Sequence, residues 1–382
     1  MSDLDLLYSD VEDELRASVH DLLADRCPPS AVLPVYDGDR SLVSPLWQAL
    51  ATDLGLAGLL VPEERGGAGA SAREAAVVLE ELGRAAAPVP FLTSSVVAAT
   101  VLLGAEPGGP ADDLVARLAA GDVTAALALP LATPPGAELP AVTVDDDGRL
   151  TGRVTSVAGA LEADVLLVPA AGPDGTSVYA VPVADATVAP VPSLDMTRQL
   201  ADVTFDGAAG ERVLGATAGA AAVRRGLETG VGLLASEQVG IAQWCLGATV
   251  AYLKERRQFG RVVGGFQALK HRLADLYVAT ESAAAAARYA AVTTALDDPD
   301  RLVAGAVAAA FCGDVAVRAA EEAVQLHGGI GMTWEHPAHL YLKRAKADQI
   351  ALGTPGWHRA RLAELVDLAA PAQATSVRAP AK

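Results

Sequence analysis

The chain has 382 residues, 51% of them apolar and 20% charged, with a formal net charge of −18. That length and apolar content support a large buried core shared by two or three domains and exclude a disordered chain. The acidic balance excludes nucleic acid and anionic membrane as partners, because both are polyanions, so any anionic ligand must meet a local basic site.

The first ten residues, MSDLDLLYSD, are acidic and have no basic stretch ahead of an apolar one. With no run of about 18 uncharged apolar residues expected further on, the reading is a cytoplasmic protein without a targeting or spanning segment. Ser9 and Glu12 have capping-box spacing, and Val11, Leu15, Val19, Leu22 and Leu23 recur at helical period until Pro28-Pro29. Ser44-Pro45 reads as a cap and first-turn proline for a helix from Leu46 to Leu54, stopped by Gly55. After the proline and glycines of Leu60 to Gly69, a further helix is expected from about Ala72 to Arg84.

From about Val123 to Val213 the texture changes. Short β-branched runs at Ala141 to Val144, Val165 to Val168 and Val178 to Val181 are separated by turn residues such as Asp147-Gly148 and Pro173-Asp174-Gly175. Alanine-rich helical segments resume near Ala220, broken at Gly264-Gly265, at Asp297 to Asp300 and at Gly328-Gly329. The fold class expected is α+β, mostly α: an N-terminal helical domain (1–122), a small antiparallel β-domain (123–213), a helical bundle of four or five helices (214–369) and a frayed tail (370–382). Cys27, Cys245 and Cys312 lie far apart and are odd in number, which argues against a disulfide framework or a zinc site and for a reducing compartment.

Chemistry concentrates in the last third. RRQFGRVVGGFQ (residues 256–267) ends a helix expected from about Thr229 to Arg257. A diphosphate needs a fixed cation, an aromatic ring system needs an apolar surface, and a polar edge needs a group that donates and accepts; Arg256, Phe259 and Gln267 supply these. Gln325-Leu326-His327-Gly328-Gly329-Ile330-Gly331-Met332, followed by Glu335-His336-Pro337, offers glycines whose amides can approach phosphate oxygens. His327 and His336 read as structural or surface histidines, not catalysts.

These segments, together with Leu60 to Gly69, Val77 to Arg84 and Leu273-Ala274-Asp275-Leu276, resemble the acyl-CoA dehydrogenase family over nearly the whole chain. The resemblance implies FAD as cofactor, an acyl-CoA thioester as substrate and an electron-transfer flavoprotein as electron acceptor. It implies FAD contacts at Arg256, Phe259, Gln267, Gln325, Gly328, Gly329 and Thr354. In the family the Gln325 to Met332 segment reaches FAD held by the neighbouring subunit, which implies a dimer or tetramer.

The chain also departs from the family pattern. Many members carry Tyr-Glu-Gly-Thr where this chain has Ala351-Leu352-Gly353-Thr354, and that glutamate removes the α-proton while hydride leaves to the flavin. Some members place the base on the long bundle helix, at the position of Gly230 here. Neither Leu352 nor Gly230 accepts a proton, so the catalytic residue is unassigned. The flavin-side Thr-Glu-Pro and Trp-Ile-Thr stretches are replaced by Ala132 to Glu138 and Arg153 to Ser156. The pattern, including Leu352 to Arg359, resembles the glutamate-less subunits of actinobacterial heteromeric dehydrogenases of steroid side-chain type, whose partner subunit bears the glutamate. Two further readings stand beside it: a homo-oligomeric flavoenzyme with an altered base such as Glu237 or Asp348, otherwise expected as surface helix charges, acting on an acyl-CoA, acyl-carrier or secondary-metabolite substrate; and a scaffold without flavin.

Overall fold

Capping chemistry starts the chain as expected. The computed structural model describes residues 4–139, 142–172 and 174–368, and its first helix, α1 (Asp10–Arg26), stands behind a complete capping box. The Glu12 amide donates to the Ser9 hydroxyl and the Ser9 amide to the Glu12 carboxylate. Short α2 (Pro29–Val32) leads to α3 (Val43–Gln48). Ser44 is not a cap as its spacing suggested: Leu42 holds that position without a side-chain hydrogen bond, and Ser44 lies inside the helix. A π turn at Ala49–Asp53 extends α3 before Gly55, at φ 69°, breaks the run. A second capping box, Ser71 with Glu74, opens α4 (Ala72–Ala85), and α5 (Ala99–Leu102) and α6 (Asp112–Ala120) complete the N-terminal helices.

The central sheet holds β1 (Ala125–Leu127), β2 (Thr143–Val144), β3 (Arg149–Ala158), β4 (Val165–Gly172), β5 (Gly175–Pro182), β6 (Thr187–Val191), β7 (Leu200–Ala209) and β8 (Glu211–Leu214), in the order β6-β7-β3-β2-β4-β5-β8 with β1 on β4. It is mixed and not antiparallel throughout. β1 and β2 both run parallel to β4, with Ala125 opposite Val165 and Thr143 opposite Ala171. A parallel pair needs a crossover, and the β2–β3 hairpin, lying between β1 and β4 in sequence, supplies it. One face buries Leu150, Val154, Leu166, Val168, Val203 and Phe205 as a second core beside the main helical one.

Five helices follow: α7 (Ala216–Glu255), α8 (Gln267–Ala295), α9 (Arg301–His327), α10 (Ala338–Ile350) and α11 (Pro355–Leu365). α7 begins well before Thr229 and ends before Arg257, which belongs instead to a small hairpin of β9 (Arg257–Gln258) and β10 (Arg261–Val262). By length and composition alone the stretch Arg301–Met332 passes for a membrane-crossing helix, with a mean hydropathy of 1.6 over 18 residues, though Asp314 and Arg318 interrupt its apolar run. It packs among α7, α8, α10 and α11 as a core helix. The tail from Ala370 lies outside the described residues.

Glycines set how closely α4 and α7 approach. A Cβ on Gly240 would fall 1.9 Å from the Glu80 carbonyl oxygen, and one on Gly83 would fall 2.1 Å from that of Glu237. Backbone meets backbone here, so no side-chain rotation can relieve an added methyl. Gly240→Ala is therefore expected to cost about 1–3 kcal/mol or more by overpacking. Gly247→Ala, on the same helix but with open space around its Cβ, is expected to gain about 0.5–1 kcal/mol from helix propensity. Denaturant unfolding of the two variants checks the opposite signs.

Candidate functional site

At the end of α7 the chain turns outward at Arg256 (φ −62°, ψ 127°), whose carbonyl accepts from the Val263 amide at 2.8 Å. Pairing of Gln258 with Arg261 and of Arg257 with Val262 leaves Phe259-Gly260 as a two-residue turn, with φ 53° and 72°. Two consecutive left-handed residues make the type I′ hairpin that fits strand twist. Glycine takes that conformation freely, whereas Phe259 bears about 1–2 kcal/mol of strain and is 88% exposed. Its ring meets Phe266 edge-on at 6.0 Å, and the Arg261 guanidinium sits 3.7 Å over the Phe266 ring. Gln267 opens α8 and is exposed. Among the described residues, neither Arg256 nor Arg257 has an ion-pair partner.

Tyr252, one turn before Arg256, stacks on His327 at 4.5 Å and so joins the end of α7 to the end of α9. His327 is buried, its Nδ1 lying 2.7 Å from the Ala323 carbonyl; a carbonyl only accepts, so Nδ1 carries the hydrogen. Beyond it, Gly328 (φ 64°) and Gly329 are exposed with nothing within 4 Å of a would-be Cβ, while Gly331 is a packing glycine, its Cβ position 2.5 Å from the Val324 carbonyl oxygen. Gln325, Gly328 and Met332 line a hollow with Val324 and Leu342. Arg256, Phe259, Gln267, Gln325, Gly328 and Gly329 thus gather where α7 and α9 end and α8 begins. Thr354 stands apart: its Oγ1 caps α11 by accepting from the Trp357 amide at 3.2 Å.

The two positions where a base was sought meet each other. A Cβ on Gly230 would lie 2.9 Å from Leu352 Cδ1 and 2.9 Å from Val97 Cγ2. Leu352 is buried in a left-handed conformation, φ 55°, its amide donating to the Leu131 carbonyl at 2.8 Å and its carbonyl facing His358 Nε2 at 3.2 Å. Burial lowers the His358 pKa, an effect opposed by hydrogen bonds to Leu352 and Gly353. The adjoining cavity is apolar, lined by Leu92, Val97, Leu127, Leu129, Leu227 and Leu352 with Thr93 and Pro130. Beside Gly230, at Thr229 and Val231, a cleft of about 340 Å³ opens between α7, α9 and α11. Arg224, Arg225, Arg301 and Arg361 line it. Arg225 pairs with Asp297 (2.8 Å), Arg301 with Glu228 (3.2 Å) and Arg361 with Glu364 (2.9 Å).

Two family models match, the acyl-CoA dehydrogenase N-terminal domain over residues 9–107 and the C-terminal domain over residues 217–366. The acyl-CoA dehydrogenase IpdE2 of Mycolicibacterium smegmatis is 35% identical over 347 residues, 91% of this chain and 96% of the relative. The chain belongs to the acyl-CoA dehydrogenase family. Among solved structures, a variant of the Tcur3481–Tcur3483 steroid ACAD is 30% identical with TM-score 0.81, covering 94% of this chain and 98% of that one. The ChsE4–ChsE5 complex of Mycobacterium tuberculosis is 26% identical with TM-score 0.83, covering 96% and 100%.

This family member holds a charged cluster that sequence reasoning missed. Glu237 and Asp348, expected on helix surfaces, are 1% exposed each. Glu237 Oε2 accepts from Arg198 Nη2 (2.6 Å) and Oε1 from Arg344 Nε (2.7 Å), while Asp348 Oδ1 pairs with Arg198. Arg344 Nη1 reaches Thr197 Oγ1 (2.8 Å) and Asp195 (3.5 Å), and Asp195 accepts from Tyr36 (3.2 Å). Burial alone would raise the Glu237 pKa, but the flanking guanidiniums of Arg198 and Arg344 hold it low; burial and the Glu237 charge push Asp348 up to about 7 against the same two arginines. A usable signal was present: Glu237 sits in the stretch Val231 to Ala242, which is otherwise apolar but for Ser236 and Gln238.

Leu352→Glu would put a carboxyl against Gly230 and an aliphatic wall. We expect it to destabilise the chain by about 1–3 kcal/mol. The pKa of such an acid rises, so the loss should be larger at about pH 8 than at about pH 5, measured by denaturant unfolding at both.

Proposed function

We propose that this chain is the glutamate-less subunit of a heteromeric, FAD-dependent acyl-CoA dehydrogenase. Its Arg256 and Gly328 end grips the ADP half of a FAD whose flavin end lies in a partner subunit, and that partner's glutamate abstracts the α-proton of the CoA thioester. The observation that carries this reading is a distance along one rigid element. Gly230 and Arg256 are 26 residues apart on α7 and its C-cap, about 39 Å at helical rise, beyond the reach of one extended dinucleotide. A FAD bound at Arg256 must therefore place its flavin outside the Gly230–Leu352 pocket of the same chain.

The residues present fit the ADP half. Arg256 offers an unpaired cation for the diphosphate, the bare backbone of Gly328-Gly329 offers amides to phosphate, Phe259 and Phe266 offer ring surface, and Gln267 and Gln325 offer side-chain amides. Bound FAD would supply the hydride acceptor that no side chain provides. The flavin-side pocket of this chain fits poorly, since its walls are aliphatic and both base positions are closed. The alternative of a relocated base at Glu237 or Asp348 loses support, because both carboxylates are sealed among arginines with no path to a substrate.

Both similar structures are named as two-component assemblies, Tcur3481–Tcur3483 and ChsE4–ChsE5, and the first is named a steroid enzyme. On that similarity we assign as substrate the CoA thioester of a steroid-derived acyl group, turned over in the cytoplasm by a dimer or tetramer that passes electrons to an electron-transfer flavoprotein. Purified alone, the chain should dehydrogenate no acyl-CoA; co-expressed with a glutamate-bearing partner it should give an active complex. Native mass spectrometry should find both subunits and FAD together. Arg256→Ala in that complex should lower FAD retention at least tenfold, and flavin-replete complexes of unchanged activity would end this reading.

A further inference from the structure

We propose that Asp348 carries a proton in the folded protein at neutral pH, so that the seam joining α10, α7 and the β6–β7 loop is a latch that alkaline pH loosens. The seam brings three carboxyls, Asp195, Glu237 and Asp348, against two guanidiniums, Arg198 and Arg344, all buried. With every group ionised it would bury one uncompensated negative charge, which is expensive away from water. One proton removes that charge.

Hydrogen bonding identifies its place. Glu237 has donors on both oxygens, from Arg344 at 2.6 Å and Arg198 at 2.6 Å. Asp195 Oδ1 accepts from Tyr36 (3.2 Å), the Thr197 amide (2.9 Å) and the Thr197 hydroxyl (2.6 Å), and Oδ2 faces Arg344. Asp348 is different. Its Oδ1 takes Arg198, but among the described residues no donor reaches its Oδ2. Gln238, whose Nε2 donates to the Asp348 carbonyl at 3.0 Å, holds a second buried acceptor without a donor, Oε1. Two buried acceptors in this seam thus lack a donor, and a hydrogen on Asp348 Oδ2 turns one of them into a donor as it removes the charge.

The remaining charges near Asp348 face elsewhere. Lys343, on the next face of α10, lies over the Tyr36 and Trp334 rings at 4.2 and 3.8 Å. On α9, Asp314 is engaged by Gln349 (2.8 Å) and Arg359 (3.2 Å) toward solvent. Lys343 touches the seam's electrostatics only through Asp195, whose charge favours the lysine's proton against the burial that disfavours it, and neither Lys343 nor Asp314 reaches Asp348 Oδ2. A carboxyl that binds its proton more tightly folded than unfolded makes stability fall as pH rises from its unfolded pKa through its folded one.

Infrared spectroscopy of the full chain labelled with ¹³C-aspartate reads the proton directly. At about pH 6 the wild type should show the carbonyl stretch of a neutral buried acid, lost on raising the pH to about 9 and absent from Asp348→Asn. Glu237→Gln removes the competing negative charge, so it should abolish the band at about pH 6 although Asp348 is intact. The thermal midpoint of the wild type should fall over this pH range, while that of Asp348→Asn falls less. Absence of the band from the wild type at about pH 6, its persistence in Asp348→Asn, or its survival in Glu237→Gln would each overturn the proposal.

Discussion

One rod sets the frame of this molecule. α7 runs for 40 residues, about 60 Å, and against it pack α4, α8, α9, α10 and strand β5. Its residues cannot be repositioned independently, so the spacing of Gly230, Glu237 and Arg256 is fixed by helical rise alone. The contact at Gly83 and Gly240 fixes α4 against the same rod at backbone distance, and Glu12, paired with Arg73 and Arg288, ties α1 to α4 and α8. A closed pocket, a buried charge seam and an exposed cationic hairpin thus occur at set intervals along a single element. Any ligand that needs two of them must come to terms with those intervals.

The three stations differ in how they treat polarity. At the first, an apolar wall excludes charge altogether. At the second, charge is buried but nearly every oxygen has its donor, so the burden of desolvation is met by arginines from two different segments, Arg198 and Arg344. Because Tyr36, the β6–β7 loop, α7 and α10 all contribute, the seam registers the N-terminal helices, the sheet and the bundle against one another, and breaking any one partner would strand a buried charge. At the third, guanidiniums and bare glycine backbone face outward without internal partners. Among the described residues Arg256 and Arg257 have no ion-pair partner, and both are exposed.

How much of this was legible in the sequence follows from how local each signal is. Ser9 with Glu12 specified a helix start because both partners lie within one turn, and the RRQFG hairpin could be singled out because its parts are contiguous. Ser44-Pro45 misled, since a cap signature says nothing of whether the preceding residue is already helical. The parallel pairing of β1 and β2 with β4 was invisible, because strand direction depends on a crossover that no short window contains. Glu237 and Asp348 were placed on the surface because residue type predicts exposure on average; their burial depends on Arg198 and Arg344, which lie far away in sequence. Gly230 and Leu352 were each marked as positions lacking a base, yet their mutual contact across more than a hundred residues could only come from the fold.

That contact bears on what has been kept and what has been lost. Leu352 retains a left-handed backbone, held by Leu131 on one side and His358 on the other, and such a conformation costs a residue with a side chain about 1–3 kcal/mol. Glycine would relieve the strain. A loop selected only for stability would shed that cost, whereas one whose shape is imposed by its neighbours must bear it. Gly353 beside it is constrained as well, at φ 110°, with His358 Nε2 and Pro134 Cβ within about 3 Å of a would-be Cβ. The backbone here presents a side chain toward Gly230, and what it presents is a hydrocarbon.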